Sequence, residues 1–569
     1  MIKIASIEET RRVEAAADAN GLSYASMMEQ AGTAAAQRAL ALIEGLDAPR
    51  ITALIGQGNN GGDGLVAARV IAQQRPDALV RCYLLTRRDE TDVNFKAVQD
   101  AGLLIAYSED DHDNRVLRNM VASADLVLDA VFGIGARLPI KNDALKVLRG
   151  ANQAIKDRRA FLPPETLIIP TQVVATPLAG LPRVLAIDCP SGLDCDTGAL
   201  DANAIHADET VTFIAAKPGL LTFPGAAAVG RLSIAPLEMP VDLPELKALP
   251  HSLVDSVSVK NYLPSRALDS NKGSFGKALI VAGSVNYSGA AGLAAKAAYR
   301  SGAGLVTVGA PGPVISALAA GLLEATWMLL PHDMGVLAES AASMIYEQLE
   351  GYKALLLGPG WGQEETTGDL LKALLQKSEK MAARKNKRSM GFGLTKETDG
   401  AQDDKSLTLP PLVLDADALN LLAKIESWWS LLPPNSIITP HPGEMGRLAG
   451  IETSDVQSNR WQLVQQKAAE WNAIIVLKGA HTLIASPQGQ VAALPFKTDA
   501  LATAGTGDVL AGIIVGLLAQ GMEPFEAAVC AGYVHGLAGE QAALRLGGGR
   551  GVMAGDVAEM VGLAFGLLS

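Results

Sequence analysis

The chain has 569 residues, 49% of them hydrophobic and 19% charged, which is enough apolar material for more than one buried core and excludes a largely disordered protein. Lys and Arg number 48 against 60 Asp and Glu, a formal net charge of −12. This charge disfavours sequence-independent binding to nucleic acid or to an anionic membrane, so we expect neither as a partner.

Cysteine usage points to a reducing compartment. Cys82, Cys189, Cys195 and Cys530 form no CxxC pair and no ligand-spaced cluster, which argues against a disulfide framework or structural zinc. The first residues become charged within a few positions and lack the apolar region of a secretory signal. The apolar stretch at Leu510–Leu518 is too short to span a bilayer. We expect a cytoplasmic protein.

Residues 1–240 alternate strand-like runs with Ala-rich amphipathic stretches. The predicted strands are Ile51–Ile55, Val80–Leu85, Leu126–Ala130, Val184–Ile187 and Thr210–Phe213, and the predicted helices include Ser6–Asn20, Ala31–Ile43 and Gly64–Gln74. Strands separated by helix-length segments predict a parallel sheet with crossover helices, that is, a Rossmann-like three-layer α/β domain. Prolines between Pro236 and Pro250 predict a linker, which we place at 241–258.

Residues 259–569 repeat the α/β pattern, without an internal sequence repeat. The predicted strands here are Ala278–Ala282, Leu305–Val308, Ala354–Leu357, Leu412–Leu414, Ile437–Thr439 and Ile474–Leu477. Residues 377–411 are mostly polar with both signs of charge, which predicts a flexible insertion rather than a nucleic-acid arm. We predict a second insertion over residues 141–182.

The segment GQGNNGGDG at 56–64 follows the first predicted strand and opens a helix. Glycines bring backbone N–H groups close to a ligand, and the helix N-terminus favours an anion. The spacing is not GxGxxG, so it supports a plain dinucleotide fingerprint only weakly. A tight turn alone explains one or two glycines, but not Asn59, Asn60 and Asp63 among them. We therefore favour a binding role.

Two further segments end predicted strands in this half. LVLDAVFGIG carries Asp129, and LAIDCPSGLD carries Asp188 and Ser191. Carboxyl ends of parallel strands share one edge of a sheet, so these residues and Asn60 can converge there. Their oxygen ligands suit an alkali or alkaline-earth cation. Each Asp taken alone is better explained by a helix or turn cap, but the joint pattern favours a site.

NNGGDG, DAVFGIG and DCPSGLD, with MEQAG at 28–32, resemble the N-terminal domain of the NAD(P)H-hydrate repair enzymes over nearly all of residues 1–240. The resemblance implies NAD(P)H-hydrate epimerase activity at C6 of the damaged nicotinamide ring. It places the hydrate against Asn59, Asn60, Gly61, Gly62 and Asp63, and against Gly133, Ile134, Gly135, Ala136, Arg137, Leu138 and Pro139. It implies a potassium ion (K⁺) on Asn60, Asp129 and Ser191, and substrate contact and acid/base catalysis by Asp188.

In the second half, AGTGD at 504–508 precedes a long apolar stretch. Gly505, Thr506 and Gly507 would present N–H groups at a helix N-terminus to a transferring phosphoryl group. Asp508 can act as the base toward an attacking hydroxyl. A capping Asp is the alternative, but the glycines and the apolar helix behind them favour catalysis.

Three more motifs follow predicted strands. TPHPGE places His441 and Glu444 three residues apart, and a Glu there can hold a Mg²⁺-bound water near phosphates. LKGAHT at 477–482 combines N–H groups with a cation suited to a nucleotide, and LDADALN at 414–420 adds two acids. A single His is more often structural, but His441 between two prolines and beside a Glu favours function.

KGSFGKALIVAGS, YSGAAGLAA, LGPGWG, LDADALN, TPHPGEMGRLAG, LKGAHT and AGTGDVLAG resemble the ribokinase-like superfamily and, within it, the NAD(P)H-hydrate dehydratases. The resemblance implies ADP-dependent dehydration of the S hydrate through a phosphorylated intermediate, giving NAD(P)H, AMP and phosphate, with Mg²⁺ accompanying ADP. It assigns Ala290, Gly360, His441 and Asp508 to the hydrate, and Lys478, Gly479, Ala480, His481, Thr482 and Gly507 to the nucleotide.

The resulting hypothesis is a bifunctional repair enzyme that takes NAD(P)H hydrates and ADP. Its alternatives are a small-molecule kinase sharing the GTGD motif, and an N-terminal half that binds without catalysing. His441 and LKGAHT favour the dehydratase over a kinase, and Asn60, Asp129 and Asp188 favour a catalytic N-terminal half. We expect a homo-oligomer, although no motif sets the number of subunits or a preference for NADH or NADPH.

Overall fold

A computed structural model describes residues 1–160, 181–376 and 409–568 of the chain. The chain divides between Leu249 and Pro250 into two compact units, which we call the first unit (Ile2–Leu249) and the second unit (Pro250–Ser569). None of the helices within the described ranges combines the length and apolarity that a transmembrane segment requires. The α/β fold class predicted for both halves is confirmed.

The first unit alternates strands and helices along most of its length. Its strands are β1 (Ile2–Ile4), β2 (Arg50–Ile55), β3 (Leu79–Leu84), β4 (Leu104–Tyr107), β5 (Leu126–Ala130), β6 (Arg183–Ile187), β7 (Glu209–Phe213) and β8 (Arg231–Ala235). Its helices are α1 (Ile7–Ala19), α2 (Tyr24–Leu42), α3 (Asn59–Gln74), α4 (Val93–Asp100), α5 (Arg115–Ala122), α6 (Asn142–Ala160) and α7 (Pro244–Lys247).

Seven of these strands form a parallel sheet in the order β4-β3-β2-β5-β6-β7-β8. Alternate residues of β5 pack on opposite faces of the sheet. Leu126 and Leu128 belong to the core between the sheet and helices α1 to α4, whereas Val127 belongs to the core between the sheet and helices α5 and α6. Both faces are covered, which is why these strands are nearly continuous apolar runs. The sheet therefore brings the segments after β2, β5, β6 and β7 to one edge.

Two expectations for the first unit are corrected. Helix α3 begins at Asn59, inside the glycine-rich motif, rather than at Gly64. The predicted insertion at 141–182 begins with α6, a crossover helix whose apolar stripe is buried against α5. The charged residues of α6 obscured its apolar stripe in the sequence. Residues 161–180 of the predicted insertion lie outside the described residues.

The second unit opens with short elements and continues through a second sheet. Its strands are β9 (His251–Leu253), β10 (Lys277–Val281), β11 (Leu305–Ala310), β12 (Thr326–Leu329), β13 (His332–Asp333), β14 (Val336–Leu337), β15 (Ala354–Leu357), β16 (Leu412–Leu414), β17 (Ile437–Ile438), β18 (Ile474–Leu477), β19 (Leu483–Ala485) and β20 (Val491–Ala493). Its helices are α8 (Ser256–Tyr262), α9 (Ser288–Arg300), α10 (Gly312–Leu318), α11 (Ala341–Glu347), α12 (365–376), α13 (Asp417–Leu422), α14 (Pro442–Ala449), α15 (Thr453–Ser458), α16 (Arg460–Trp471), α17 (Thr506–Ala519), α18 (Pro524–Leu546) and α19 (Ala554–Gly566).

In the second sheet the strands lie in the order β9-β20-β19-β18-β17-β16-β15-β10-β11-β12. Pairing is parallel from β18 to β12 and antiparallel where β19 joins β18 and β20. The parallel part places the segments after β15, β16, β17 and β18 at one edge. Those segments carry the LGPGWG, LDADALN, TPHPGE and LKGAHT motifs.

Every predicted strand is present to within two residues at either end, while β1, β4, β8, β9, β12, β13, β14, β19 and β20 were not predicted. The interval predicted as a linker, 241–258, contains α7, β9 and the start of α8. Apolar Leu243, Leu249 and Leu253 are buried there, which orders the proline-rich chain. The predicted insertion at 377–411 lies almost wholly outside the described residues.

Helices α9 and α17 cross at very close range because Gly512 and Gly516 face the backbone of α9. A Cβ at Gly512 would lie 2.3 Å from the Ala294 carbonyl oxygen, and one at Gly516 would lie 2.1 Å from Ser301 Oγ. The carbonyl is part of a helix backbone and cannot move aside without disturbing the packing. This contact holds α17, whose N-terminus carries the GTGD motif, against the core.

We expect Gly512→Val to destabilise the second unit by about 3 kcal/mol, because the added side chain overpacks a backbone contact. All six tryptophans lie in the second unit, so tryptophan fluorescence during denaturant unfolding reports on it. Gly555→Ala in α19 is the matched control: its Cβ meets nothing within 4 Å, and we expect a gain under about 1 kcal/mol. Equal effects of the two variants would contradict the packing argument.

Candidate active sites

The first site forms around two side chains that meet at the sheet edge. The Ser191 main-chain N–H donates to Asp129 Oδ2 at 2.7 Å, and Ser191 Oγ donates to Asp129 Oδ1 at 2.5 Å. Ser191 Oγ also accepts from the Phe132 N–H at 2.9 Å, which ties the loops after β5 and β6 together. Burial raises the pKa of Asp129 to about 6, although its bonds to Ser191 favour the charged form.

Asp188 follows β6 with a φ of +64°, a left-handed conformation that Asp adopts more readily than most residues. Two groups donate hydrogen bonds to Asp188 Oδ1: Thr212 Oγ1, near the end of β7, at 3.0 Å, and Lys217 Nζ, which lies after β7, at 2.8 Å. The Ile134 N–H donates to Oδ2 at 3.3 Å. Lys217 is only 2% exposed, so its ammonium group balances the Asp188 charge in a desolvated setting.

Asn60 and Gly133 complete the contact between the glycine-rich helix and the loop after β5. A Cβ at Gly133 would lie 3.0 Å from Asp188 Oδ2 and 3.2 Å from Asn60 Cβ, so the three residues touch. Both amide atoms of Asn60 are buried, and neither has a hydrogen-bond partner among the described residues. A buried amide without a partner is costly and points to a ligand. An amide oxygen is among the ligand types that an alkali cation takes.

The loop before α3 is held by an arginine that the sequence analysis did not single out. Arg88 Nη2 donates to the carbonyls of Gly56, Gln57 and Gly58 at 2.9, 3.2 and 2.9 Å, while Nη1 pairs with Asp92 at 2.5 Å. Turning three carbonyls toward Arg88 leaves the N–H groups at the α3 N-terminus free for an anion.

Two more carboxyl groups approach Asp188. Burial, the Asp188 charge and the nearby Glu14 raise the pKa of Asp63 well above its ordinary value. Burial and the Asp188 charge likewise raise the pKa of Glu14, which lies on α1. Ionising Glu14, Asp63 and Asp188 together is electrostatically unfavourable, so at least one of these carboxyl groups favours its protonated form.

The structure brings Asn60, Asp129, Asp188, Ser191 and the main chain of Gly133 and Ile134 together. Gly61 and Gly62 have a packing explanation: added Cβ atoms would lie 2.0 Å from the Gly56 carbonyl oxygen and 2.6 Å from Met28 Sδ. The remaining predicted residues lie on the surrounding wall: Asn59 at the start of α3, and Gly135, Ala136, Arg137, Leu138 and Pro139 on a partly exposed irregular loop.

The second site is organised by Asp415, which follows β16 and is 1% exposed. Thr439 Oγ1 donates to its Oδ1 at 2.6 Å and Lys478 Nζ at 2.9 Å. Its Oδ2 is buried without a hydrogen-bond partner in the described part of the chain. Burial alone would lower the pKa of Lys478, but the charges of Asp415 and Glu444 outweigh burial and raise it.

His441 and Glu444 form a capping box at the start of α14. The His441 N–H donates to Glu444 Oε2 at 2.7 Å, and His441 Nδ1 accepts from the Gly443 N–H at 3.0 Å. Glu444 Oε2 also lies 3.6 Å from Lys478 Nζ. Burial raises the pKa of Glu444, while burial and the Lys478 charge lower that of His441.

Asp508 lies in the first turn of α17, whose N-cap Gly505 has a φ of +93°. Burial, followed by repulsion from the Asp415 carboxylate, raises the pKa of Asp508 to about 7. A Cβ at Gly507 would lie 3.4 Å from Lys478 Nζ, so the GTGD turn and the lysine are in contact range. A carboxyl group with a pKa near neutrality is suited to general base catalysis.

Ala290 and Gly360 also meet. A Cβ at Gly360, whose φ is +63°, would lie 2.9 Å from Ala290 Cβ. The loop that holds Gly360 is joined to the LDADALN segment, because the Gly362 N–H donates to Asp417 Oδ2 at 2.9 Å. All four residues assigned to the hydrate therefore surround the same carboxylate-rich edge.

A cavity of about 210 Å³ adjoins this edge, between α17, α18 and the loop after β18. Lys478, Gly479, Ala480, Thr482 and Gly507, all predicted to bind the nucleotide, line it. His481 does not: its ring is buried and bonds the Leu494 carbonyl oxygen at 3.0 Å. Burial lowers its pKa to about 4, so it is neutral and structural.

In neither unit do three or more His, Cys, Asp or Glu side chains of the described ranges form a group that could hold a metal ion.

Comparison with known proteins adds independent findings. Residues 24–219 match the family described as YjeF-related protein N-terminus, and residues 278–382 and 389–561 match the family described as NAD(P)H-hydrate dehydratase. A bifunctional NAD(P)H-hydrate repair enzyme of Moorella thermoacetica is 35% identical over 521 residues, covering 90% of this chain and 86% of that protein. Its Escherichia coli namesake is 32% identical over 557 residues, covering 97% and 91%.

The chain belongs to the bifunctional NAD(P)H-hydrate repair enzymes. The predicted family is thereby confirmed, and the small-molecule kinase alternative loses its support. Among solved structures, an ADP/ATP-dependent NAD(P)H-hydrate dehydratase of Bacillus subtilis is similar to part of this chain. It is 29% identical, with a TM-score of 0.45, and covers 56% of this chain and 99% of that protein.

Within this repair-enzyme chain, three residues of the sites were missed by sequence reasoning: Lys217, Thr212 and Arg88. Lys217 and Thr212 belong to TVTFIAAKPG at the end of a predicted strand, so position after a strand was an available signal. Arg88 lies in a charged stretch, TRRDETD, that offers no such signal.

The second unit should lose stability on acidification partly through His481. Its pKa is about 4 in the folded chain against an ordinary 6.5, so below pH 6.5 the unfolded state gains protons that the folded state does not. Between pH 7 and pH 5 this costs about 2 kcal/mol. His481→Asn, which tolerates the left-handed φ of +50°, should show a shallower pH dependence by that amount in fluorescence-monitored unfolding. The exposed His332→Asn is the control, and parallel pH profiles for wild type and His481→Asn would contradict the assignment.

Proposed function

We propose that the chain repairs hydrated NADH and NADPH at two sites. The first unit interconverts the R and S hydrates at C6, and the second unit dehydrates the S hydrate with ADP. The observation that carries the proposal is that both families match one chain and that each unit gathers its motif residues at one sheet edge. A buried or nearly buried aspartate lies within hydrogen-bond distance of a lysine at each edge.

In the first site, Asp188 and Lys217 are the proposed acid/base pair. C6 of the hydrate carries a hydroxyl beside the ring nitrogen, so protonation of the hydroxyl lets water leave while the nitrogen supplies electrons. Water then returns to the opposite face and loses a proton. Asp188 Oδ2, which faces Gly133, is the atom placed to exchange that proton, because Oδ1 is held by Lys217 and Thr212.

Asn60, Asp129 and Ser191 are the residues that would hold K⁺. The ion would supply fixed positive charge that partly balances the carboxylates beside the substrate. The unpartnered amide of Asn60 supports this assignment. The α3 N-terminus, kept open by Arg88, offers N–H groups to the anionic part of the hydrate.

In the second site, Asp508 is the proposed base. It removes the proton from the C6 hydroxyl, whose oxygen attacks the β-phosphorus of ADP, and AMP leaves. The ring nitrogen then expels phosphate from C6, and loss of the C5 proton restores the double bond. Phosphate is a far better leaving group than hydroxide, which is why a nucleotide is consumed.

Lys478 and the N–H groups of the GTGD turn are placed to neutralise charge on the transferring phosphoryl group. Mg²⁺ would bind the nucleotide phosphates and reach Glu444 through water, supplying further positive charge. His441, whose lowered pKa keeps it neutral, would contact the hydrate without adding a charge.

The proposal is tested by incubating the full chain with mixed hydrate epimers, ADP and Mg²⁺. Return of the near-ultraviolet absorbance of the reduced nicotinamide for both epimers supports it. A stable phosphorylated hydrate with no returning absorbance would instead indicate a kinase. Recovery of the S hydrate alone would indicate that the first unit only binds.

Asp508→Asn should lower the dehydration rate constant by at least about 100-fold, because the amide cannot accept the hydroxyl proton. Epimerisation of the R hydrate should be unchanged. In the wild type the dehydration rate should fall as pH drops below about 7, where Asp508 is protonated. Asp455→Asn, an exposed position on α15, is the control. Equal loss of both activities would refute two separate sites.

Asp188→Ala should lower the rate of epimerisation by about 100-fold and leave the dehydration of the S hydrate unchanged. Because the change leaves the Lys217 charge buried without its partner, Asp188→Asn is measured in parallel and circular dichroism checks the fold. Normal epimerisation in either variant would remove Asp188 from the mechanism.

A further inference from the structure

The buried stripe of α16 begins with a charged residue. Arg460 is the first residue of this helix, and it is partly buried. The buried residues of the helix, four, eight and eleven positions further on, are Val464, Ala468 and Trp471. These spacings place Arg460 on the same helix face, which packs against β18 and β19. A cation on an apolar face requires specific partners.

The partners of Arg460 are main-chain carbonyls of the loop after β18, which carries the LKGAHT motif. Nη1 donates to the Ala480 carbonyl oxygen at 3.3 Å, and Nη2 donates to those of Leu477 and His481 at 3.4 and 3.5 Å. Burial lowers the pKa of Arg460 to about 10, and no carboxylate of the described ranges counters that shift. The guanidinium group is therefore charged at neutral pH and is stabilised by carbonyl dipoles.

The bonds from Arg460 join the two ends of this loop. Leu477 is the last residue of β18, whereas Ala480 and His481 lie three and four residues later. The guanidinium group rests against Gly479 between them: a Cβ at Gly479, whose φ is +142°, would lie 2.9 Å from Nη1. Both the close approach and the backbone conformation favour glycine here. Arg460 thus fixes the peptide groups that flank the turn.

The turn itself leaves N–H groups available. Gly479 and Ala480 line the cavity beside the GTGD turn, and a glycine lines a cavity only through its main chain. Across the described ranges, no acceptor takes the N–H groups of these two residues. Thr482 Oγ1 donates to the Gly479 carbonyl oxygen at 2.9 Å, which turns the Ala480 N–H of the same peptide group the opposite way. Successive free N–H groups in a turn are suited to an anion.

We propose that Arg460 is a positioning residue of the second site, holding the loop after β18 so that the N–H groups of Gly479 and Ala480 bind nucleotide phosphate. The inference rests on the proposed function and adds to it a residue that acts through the loop. Arg88 in the first unit has the corresponding arrangement, since one guanidinium group holds three carbonyls of the loop before α3. A loop that is already ordered binds phosphate without first losing conformational freedom.

The first experiment compares Arg460→Gln and Arg460→Lys with the wild-type full chain. Binding of ADP is measured by titration calorimetry with Mg²⁺ and without hydrate, and dehydration of the S hydrate gives kcat and the KM for ADP. We expect both variants to bind ADP at least about tenfold more weakly, with a matching rise in this KM and a change in kcat below about threefold.

Arg460→Lys separates loop geometry from charge. Lysine keeps the positive charge, but a single ammonium group cannot reproduce the planar fork that serves carbonyls at both ends of the loop. Wild-type ADP affinity in Arg460→Lys would show that charge alone matters and would overturn the positioning role. A loss confined to kcat, with ADP affinity unchanged, would overturn it as well.

Arg266→Gln is the matched control. Arg266 Nη1 donates to the Gly302 carbonyl oxygen at 3.1 Å, and a Cβ at Gly302, whose φ is +100°, would clash with Nη1. The contact is of the same kind, but neither residue lines the cavity. We expect ADP to bind Arg266→Gln within about twofold of its wild-type affinity. Equal losses in the Arg266 and Arg460 variants would indicate a general structural effect and would overturn the inference.

Arg460→Ala tests the guanidinium group directly. Its deletion leaves room for a free guanidinium ion, so millimolar guanidinium chloride, far below denaturing concentrations, should lower the KM for ADP of this variant by at least about threefold. Sodium chloride at the same concentration should not, and neither salt should lower the KM of Arg266→Gln. An Arg460→Ala variant with native circular dichroism that guanidinium does not improve would contradict the proposed role.

The outcomes separate this inference from the proposed function. If ADP neither binds the wild type nor supports dehydration, the proposed function of the second unit fails. If ADP binds the wild type and supports dehydration, but the Arg460 variants keep wild-type affinity for ADP, only the role of Arg460 is overturned.

Discussion

A lysine beside an aspartate, fully buried in the case of Lys217 and partly buried in the case of Lys478, makes a cluster of carboxylates possible at the edge of a sheet in each unit. Lys217 Nζ lies 2.8 Å from Asp188 Oδ1, and Lys478 Nζ lies 2.9 Å from Asp415 Oδ1. In both cases the aspartate follows a strand and the lysine follows the next strand along the sheet or the one after it. Without the ammonium group, an ionised carboxylate at that depth would cost several kcal/mol. The remaining polar groups of each site depend on this pair.

The pairs leave other acids uncompensated. Asp508 in the second unit and Asp63 in the first unit lie near the paired aspartate, and both have raised pKa values because of burial and repulsion from it. Asp508, whose pKa is raised to about 7, is suited to exchanging protons near neutrality. Each site thus contains one aspartate paired with a lysine and another whose raised pKa favours the protonated form. The two aspartates differ because of their position relative to the lysine, since the side chains are chemically identical.

The strands and the site motifs were predictable because parallel sheets buried on both faces produce apolar runs, and chemistry follows directly after them. Asn60, Asp129, Asp188, Ser191, His441 and Asp508 were found in this way. Lys217 was missed because it lies five positions after Thr212, beyond the end of its strand. Arg88 was missed because the site loop that it holds contacts it through main-chain carbonyls, which leave no mark in a sequence. His481 shows what a motif does not specify: the sequence could not predict that its ring is buried and bonded to the Leu494 carbonyl oxygen.

Joining the two units in one chain follows from the stereochemistry of the damage. Hydration at C6 creates a stereocentre, and a site that aligns the hydroxyl with a phosphoryl group and Asp508 can accept it on one face only. Material of the other configuration is then recovered only if something inverts C6 without consuming a nucleotide. Acid/base exchange at Asp188 suits that task, because water can leave and return through the iminium form of the ring. Inversion therefore requires a proton carrier and N–H groups that bind an anion, which the first sheet edge offers. Dehydration also requires a site for a nucleotide, and the second sheet edge has a cavity beside it.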